Sequence, residues 1–140
     1  MIRREMKIKG IDHIDIAVKD VEETIKIFQQ MGFELVRRTT HRLGAAELQL
    51  PGPNQPIYEI HPPTTHHLDG NPGITHISFL VDNTQETFDE LKGKGFNFSH
   101  DRVLFEPQTG RTLAIVEDRD RFAIHFQEAE RKPFTTEPTS

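Results

Sequence analysis

Hydrophobic and polar positions follow the same order twice along this chain. Each copy opens with a run rich in Ile, Val and Phe, at 10–18 and at 73–81, that is short enough to be a buried strand. A helical pattern comes next in both copies. The apolar residues that recur at helical spacing are Val21, Ile25 and Phe28 in the first copy and Phe88 and Leu91 in the second. The pattern therefore predicts a strand and then a helix in each copy.

The ends of both helices carry the residues that are typical of helix caps. Asp20 is well placed to begin the first helix, and Asn83 or Thr84 to begin the second, because short polar side chains accept hydrogen bonds from free backbone N–H groups. Glycine stops each helix, at Gly32 and at Gly95.

Three extended segments are predicted after each helix, with turn-forming residues between them. In the first copy they are Glu34–Thr39, Gly44–Leu50 and Ile57–His61, and in the second they are Asn97–Arg102, Leu113–Glu117 and Ala123–Gln127. The order of elements is thus βαβββ in both copies.

The sequence itself repeats with this pattern. The stretch that begins Gly10-Ile-Asp-His-Ile is echoed by Gly73-Ile-Thr-His-Ile, and one constant offset without gaps aligns the following helices as well. We predict an α+β fold in which two paired modules form one curved mixed sheet. The expected segments are an N-terminal extension at 1–9, module 1 at 10–63, a linker at 64–72, module 2 at 73–128 and a polar tail at 129–140.

Composition narrows the classes of function. The net charge of −5 argues against nucleic acid and anionic membranes as partners, since both attract clustered Lys and Arg. No long apolar run predicts a membrane span, and the basic N-terminus lacks the apolar core of a secretory signal. The absence of cysteine excludes disulfides and thiolate ligands and suits a cytoplasmic protein.

Histidines at repeated positions are the first candidates for chemistry. His13 and His76 are equivalent in the two copies, so a pseudo-twofold pairing of the modules brings them together. A metal ion needs further ligands, and the last strand of each copy offers Glu59 or His61 and His125. Strand alternation places Glu59 and His61 on the same face, and the residues alone leave that choice open.

Glu47 is a second candidate, because burial of a carboxyl in an apolar strand can raise its pKa into the range of a general base. The simpler interpretation is an edge-strand glutamate that faces water. Gln49 has the same parity and would share the face of Glu47, where it could touch a substrate. Three arginines that could bind an anion are interpreted as surface residues: Arg42, Arg102 and Arg111.

The paired openings, each followed by a helix that ends in Gly-Phe, resemble the vicinal oxygen chelate superfamily, and most closely its glyoxalase I and methylmalonyl-CoA epimerase members. The resemblance implies that His13 and His76 bind a metal. The family's fourth strand often reads Leu-Glu-Leu-x-x-Pro, and the frame from Tyr58 to Pro63 matches it, which favours Glu59 over His61.

His125 is the main departure from the family's pattern, because it lies where the family has a ligand Glu. Three imidazoles and one carboxylate suit Zn, Ni, Co or Fe(II) better than Mg or Ca. The resemblance therefore implies one divalent metal ion, of undetermined identity, bound by His13, Glu59, His76 and His125.

The resemblance also implies a function. In the epimerases a Gly-x-x-Glu strand supplies a catalytic base, which corresponds to Glu47 in Gly44-Ala-Ala-Glu47. The expected protein is a metal-dependent isomerase, epimerase or lyase that acts on a small molecule with vicinal oxygens or an activated carbonyl, through an enediolate. The alternatives are a ring-cleaving extradiol dioxygenase and a metal-free binding protein of the bleomycin type. The resemblance further implies a homodimer.

Overall fold

A computed structural model of the chain describes residues 8–64, 71–107, 110–116 and 123–128, so most of the predicted linker and the whole polar tail lie outside the described residues. Within these ranges it has eight strands and two α-helices, together with a short 3-10 helix at His41–Leu43. The strands are β1 (Ile8–Ala17), β2 (Glu34–Thr39), β3 (Ala45–Gln49), β4 (Ile57–His61), β5 (Gly73–Val81), β6 (Leu104–Glu106), β7 (Arg111–Val116) and β8 (Ala123–Glu128). The helices are α1 (Val21–Gln30) and α2 (Thr84–Gly93).

All eight strands belong to one mixed sheet with the order β2-β3-β4-β1-β5-β8-β7-β6. Within the modules, β1 pairs with β4 and β5 pairs with β8 in parallel, and the remaining pairs are antiparallel. The modules meet at the antiparallel pair of β1 and β5. The α+β fold of two βαβββ modules in one curved mixed sheet is thereby confirmed.

Both helices pack on one face of the sheet, which we call the helix face. Helix α1 lies against β2, β3 and β4, and its Ile25 packs with Leu48 and Ile60. Helix α2 lies against β7 and β8, and its Leu91 packs with Phe126. Because side chains alternate along a strand, these apolar positions leave the polar residues between them to the opposite face.

Capping explains where the helices begin. The side chain of Asp20 accepts a hydrogen bond from the backbone N–H three residues on at 3.0 Å, and Asn83 does the same at 2.9 Å. Gly32 and Gly95 follow the helices at φ of +100° and +94°, a left-handed conformation that glycine adopts without steric cost. None of the helices within the described ranges is long and apolar enough to cross a membrane.

Replacement of Asp20 by alanine is expected to lower the free energy of unfolding by about 1 kcal/mol, because one N–H at the start of α1 loses its acceptor. Urea denaturation measures this change. The control is Lys26→Ala on the exposed side of the same helix, which should stay within about 0.5 kcal/mol of the parent. Equal effects of the two substitutions would show that the cap contributes nothing.

The predicted strand at 97–102 is wrong. Phe98 forms an isolated bridge with Val116 and packs on Phe88 at 4.5 Å between ring centroids, and the strand of this region is the later segment β6. The residues after Phe98 are Ser-His-Asp, which offer no apolar side chain to the helix face. At the N-terminus, β1 already starts at Ile8, inside the range predicted as an extension.

Candidate functional site

The face of the sheet opposite the helices is lined by polar side chains, and we call it the polar face. Its members alternate with the apolar residues that pack under the helices. They are His13 and Asp15 on β1, Glu47 on β3, Glu59 and His61 on β4, His76 and Ser78 on β5, and His125 and Gln127 on β8. Most of these polar side chains are buried although both helices lie on the other face of the sheet. Such burial is expected when the sheet curves around its polar face.

Three imidazoles from three strands meet on the polar face. The Nε2 atoms of His13 and His76 are 2.9 Å apart. The ring of His125 stacks on that of His76, with 4.0 Å between centroids and 9° between planes. His76 and His125 are both buried. The structure thus brings together three of the four predicted metal ligands.

Hydrogen bonds at the other nitrogens place a proton on Nδ1 of each facing imidazole. Nδ1 of His13 lies 2.7 Å from Oδ2 of Asp12 and donates to this carboxylate. The hydroxyl of Thr75 donates to Asp15, so its oxygen accepts from Nδ1 of His76 at 3.3 Å. Each ring therefore holds its proton on Nδ1 and presents Nε2 to the other ring.

The short distance between the two Nε2 atoms implies that either a proton or a metal ion lies between the rings. Burial lowers the pKa of His76, the neighbouring His125 and His13 lower it further, and the Asp15 carboxylate only partly offsets them, so His76 is neutral near pH 7. Two bare lone pairs at this distance repel unless a proton or a metal ion lies between them. A metal ion bound at about 2.0–2.1 Å to each nitrogen in a tetrahedral site would hold them about 3.3 Å apart, only slightly further than they are here. The donor chemistry and spacing of the pair fit a divalent metal of the Zn, Ni, Co or Fe(II) type.

Glu59 faces Asp15 in this structure. The two residues are register partners on the parallel pair of β4 and β1, and their carboxyl groups are hydrogen bonded. Burial raises the pKa of Glu59, and the hydrogen bond to Asp15 and its negative charge raise it further. Burial alone would raise the pKa of Asp15 too, but hydrogen bonds from Glu59 and His61 outweigh it and hold that pKa well below its usual value. Glu59 therefore carries the proton that the two carboxyl groups share.

His61, the alternative to Glu59, is fully buried and has both ring nitrogens engaged. Its Nδ1 donates to the carbonyl of Pro62 at 2.6 Å, and its Nε2 bonds to Asp15. Neither nitrogen is directed at the imidazoles of His13 and His76. Within the residues that the structure describes, no group of three or more His, Asp or Glu side chains already has the arrangement of a metal site. The two residues whose positions suit a shared metal ion are His13 and His76, through their facing Nε2 atoms.

Glu47 is buried on the polar face rather than exposed at an edge. It is the register neighbour of Glu59 across β3 and β4, and Nε of Arg37 lies 3.9 Å from its Oε1. Gln49 shares its parity, and the amide of Gln49 donates to the carbonyl of Gln55 at 2.8 Å.

Asp12 and Arg111 were missed by the sequence analysis. Alternation along β1 predicts that Asp12 faces away from His13, but a β-bulge between Ile11 and His13 places both side chains on the polar face. The interpretation of Arg111 as a surface residue is wrong, because its side chain is only 2% exposed and its Nη2 lies 3.1 Å from Oδ1 of Asp12. The available signal was the echo of Asp12-His13 in Thr75-His76, where a second bulge brings Thr75 to Asp15.

Arg42 also reaches the polar face. Its backbone is left-handed at φ +50°, and its Nε lies 3.5 Å from Oδ2 of Asp15. Asp15 is therefore the central residue of a buried polar cluster around β1. The cluster's other members are His61, Thr75, Glu59 and Arg42.

One protein-family model matches most of the chain. The family model described as Glyoxalase/Bleomycin resistance protein/Dioxygenase superfamily matches residues 10–126, which include both modules nearly completely. No curated protein is significantly similar to the chain.

Solved structures with the same fold include methylmalonyl-CoA epimerases. The Streptomyces coelicolor enzyme, solved with 2-nitronate-propionyl-CoA, is 17% identical over 88% of this chain and 99% of its own, with a TM-score of 0.68. The Mycobacterium tuberculosis epimerase is 18% identical over 92% of this chain and 93% of its own, also at 0.68. A hypothetical protein from Bacillus halodurans is 19% identical over 88% of this chain and 96% of its own, at 0.68. At these identities the likeness shows a shared fold.

Proposed function

Since the chain belongs to the glyoxalase/bleomycin resistance protein/dioxygenase superfamily, we propose that it is a metal-dependent epimerase or isomerase that moves a proton at a carbon next to a carbonyl group. The observation that carries the proposal is the pair of Nε2 atoms of His13 and His76, which face each other at 2.9 Å on the buried polar face. Two buried imidazoles that face each other in this way offer two ligands to one metal ion, which supports a metal site better than a metal-free binding pocket.

The ion would be held by His13, His76, His125 and Glu59. His125 already stacks on His76, and Glu59 would exchange its hydrogen bond with Asp15 for the ion and release its proton. When bound, the ion supplies Lewis-acid polarisation of a substrate carbonyl, which makes the neighbouring C–H more acidic.

Glu47 is the proposed base. It shares the polar face with the imidazoles, and the register places Glu47, Glu59, Asp15 and His76 side by side across β3, β4, β1 and β5. A carboxylate that is buried beside this row can take a proton from a substrate carbon while water is kept away. Arg37 holds the carboxylate from one side, at 3.9 Å.

The substrate class is a small molecule with a carbonyl next to an acidic C–H, either an acyl thioester or a 2-oxo compound. Structural relatives of the chain include an epimerase that was solved with methylmalonyl-CoA, which makes this thioester the first probe. The acidic chain, with a net charge of −5, favours a substrate whose recognition does not depend on a large basic surface.

The test is incorporation of deuterium from solvent into methylmalonyl-CoA, and in parallel into a 2-oxo compound, by protein loaded with Zn, Ni, Co or Fe(II). The expected result is exchange that requires one bound metal ion per chain and stops when a chelator removes it. Metal binding with oxygen consumption on a catechol, and without exchange, would establish the dioxygenase instead. Purified protein that binds none of the four metals would favour the metal-free binding protein.

The expected homodimer remains part of the proposal, and sedimentation equilibrium of the purified chain tests it. A dimer mass supports this expectation, and a monomer mass at micromolar concentration contradicts it.

A further inference from the structure

Asp12 lies in the bulge of β1 and touches two groups with its two oxygens. Oδ2 lies 2.7 Å from Nδ1 of His13, and Oδ1 lies 3.1 Å from Nη2 of Arg111. The residue is only 8% exposed, so its negative charge is largely removed from water and depends on these partners.

Arg111 reaches Asp12 from the other module. It begins β7, which lies three strands from β1 in the sheet, and its side chain crosses the polar face. At 2% exposure its guanidinium is buried as well, and it forms an ion pair with Asp12. The buried positive charge attracts Oδ1 as an ion pair, without a hydrogen bond, and leaves Oδ2 for His13.

We infer that Asp12 and Arg111 are positioning residues that keep His13 in the tautomer with its proton on Nδ1 and its lone pair on Nε2. This inference deepens the proposed function and rests on its metal site. A histidine that binds metal commonly donates its other N–H to a carboxylate, which sets the ring's orientation and tautomer. Here the carboxylate is itself held by a guanidinium from the second module.

The chemistry of an amide gives a sharp test. In Asp12→Asn only one oxygen remains to accept hydrogen bonds. Because the buried Arg111 has only donors, the amide oxygen turns to Arg111. The NH2 group then turns to His13. An NH2 donor at Nδ1 favours the opposite tautomer of His13, with the proton on Nε2. That proton then points at Nε2 of His76, where the ion would bind.

The readout is the tautomer of His13 in metal-free protein labelled with 15N-histidine, observed through two-bond 1H–15N correlations. The wild type is expected to show a proton on Nδ1 of His13, and Asp12→Asn an unprotonated Nδ1 with the proton on Nε2. Titration with Co or Ni by calorimetry is expected to show an affinity about 10–100-fold lower for Asp12→Asn.

A double variant keeps the inference testable if the single one folds poorly. In Asp12→Asn with Arg111→Met, no buried charge remains and the amide oxygen is free to accept from His13, so the Nδ1–H tautomer and much of the metal affinity should return. The matched control is Asp82→Asn, an exposed aspartate paired with Lys9, which should change neither readout.

Retention of the Nδ1–H tautomer and of full metal affinity in Asp12→Asn would overturn the inference. Failure of the wild type to bind metal would overturn the proposed function alone, because the tautomers are read without metal. An inverted tautomer that the double variant restores supports the positioning role in either case.

Discussion

Replacement of His76 by alanine is expected to lower the affinity for divalent metal by more than about a hundredfold, since loss of an outer-shell partner alone costs about 10–100-fold. His76 contributes one of the two facing Nε2 atoms, and its lowered pKa keeps that nitrogen unprotonated near neutral pH. Without it, the ion loses the ligand that faces His13 at 2.9 Å. Calorimetric titration of metal-free protein with Co or Ni measures the loss.

The matched control for His76→Ala is His100→Ala. The same side chain is removed from an exposed position after α2, so metal affinity should be unchanged. Circular dichroism and thermal unfolding of both variants separate a lost ligand from a lost fold. Metal binding by folded His76→Ala at wild-type affinity would refute the metal site.

Glu47→Gln is expected to slow solvent-deuterium exchange into the substrate by about 10²–10⁴-fold, the usual contribution of a general base. The amide has the same shape as the carboxyl group and fills the same buried position, but it cannot take a proton from carbon. Metal affinity should stay within about threefold of wild type, since Glu47 is not among the proposed ligands. Single-turnover exchange under saturating metal measures the effect.

The control for Glu47→Gln is Glu34→Gln on the edge strand β2, where the glutamate is exposed. It should leave exchange unchanged. If Glu47→Gln exchanges deuterium at the wild-type rate, another group is the base, and the role proposed for Glu47 is wrong.

The sequence predicted the fold because both of its signals were local. The helix caps at Asp20 and Asn83 and the apolar spacing of Ile25 and Leu91 depend on residues a few positions apart. The repeat then supplied the one long-range relation that local patterns lack, namely that His13 and His76 are equivalent and meet across the seam between the modules.

The parts of the site that the sequence did not predict depend on irregular backbone and on distant strands. Strict alternation places Asp12 on the wrong face, and no residue within Ile11-Asp12-His13 itself signals the bulge that corrects this. The burial of Arg111 depends on a carboxylate about a hundred residues earlier in the chain. The same limit applies to the contact of Glu59 with Asp15, which arises only when β4 pairs with β1.

The seam between β1 and β5 has a consequence for stability. His13 belongs to one module and His76 to the other, so their nitrogens approach each other only when both halves have folded and docked. A ligand that binds the docked state alone shifts the equilibrium by mass action, by about 2.7 kcal/mol at a concentration one hundred times its Kd. An ion at this position would link the two modules, and the melting temperature would rise with the fraction of sites that hold the ion.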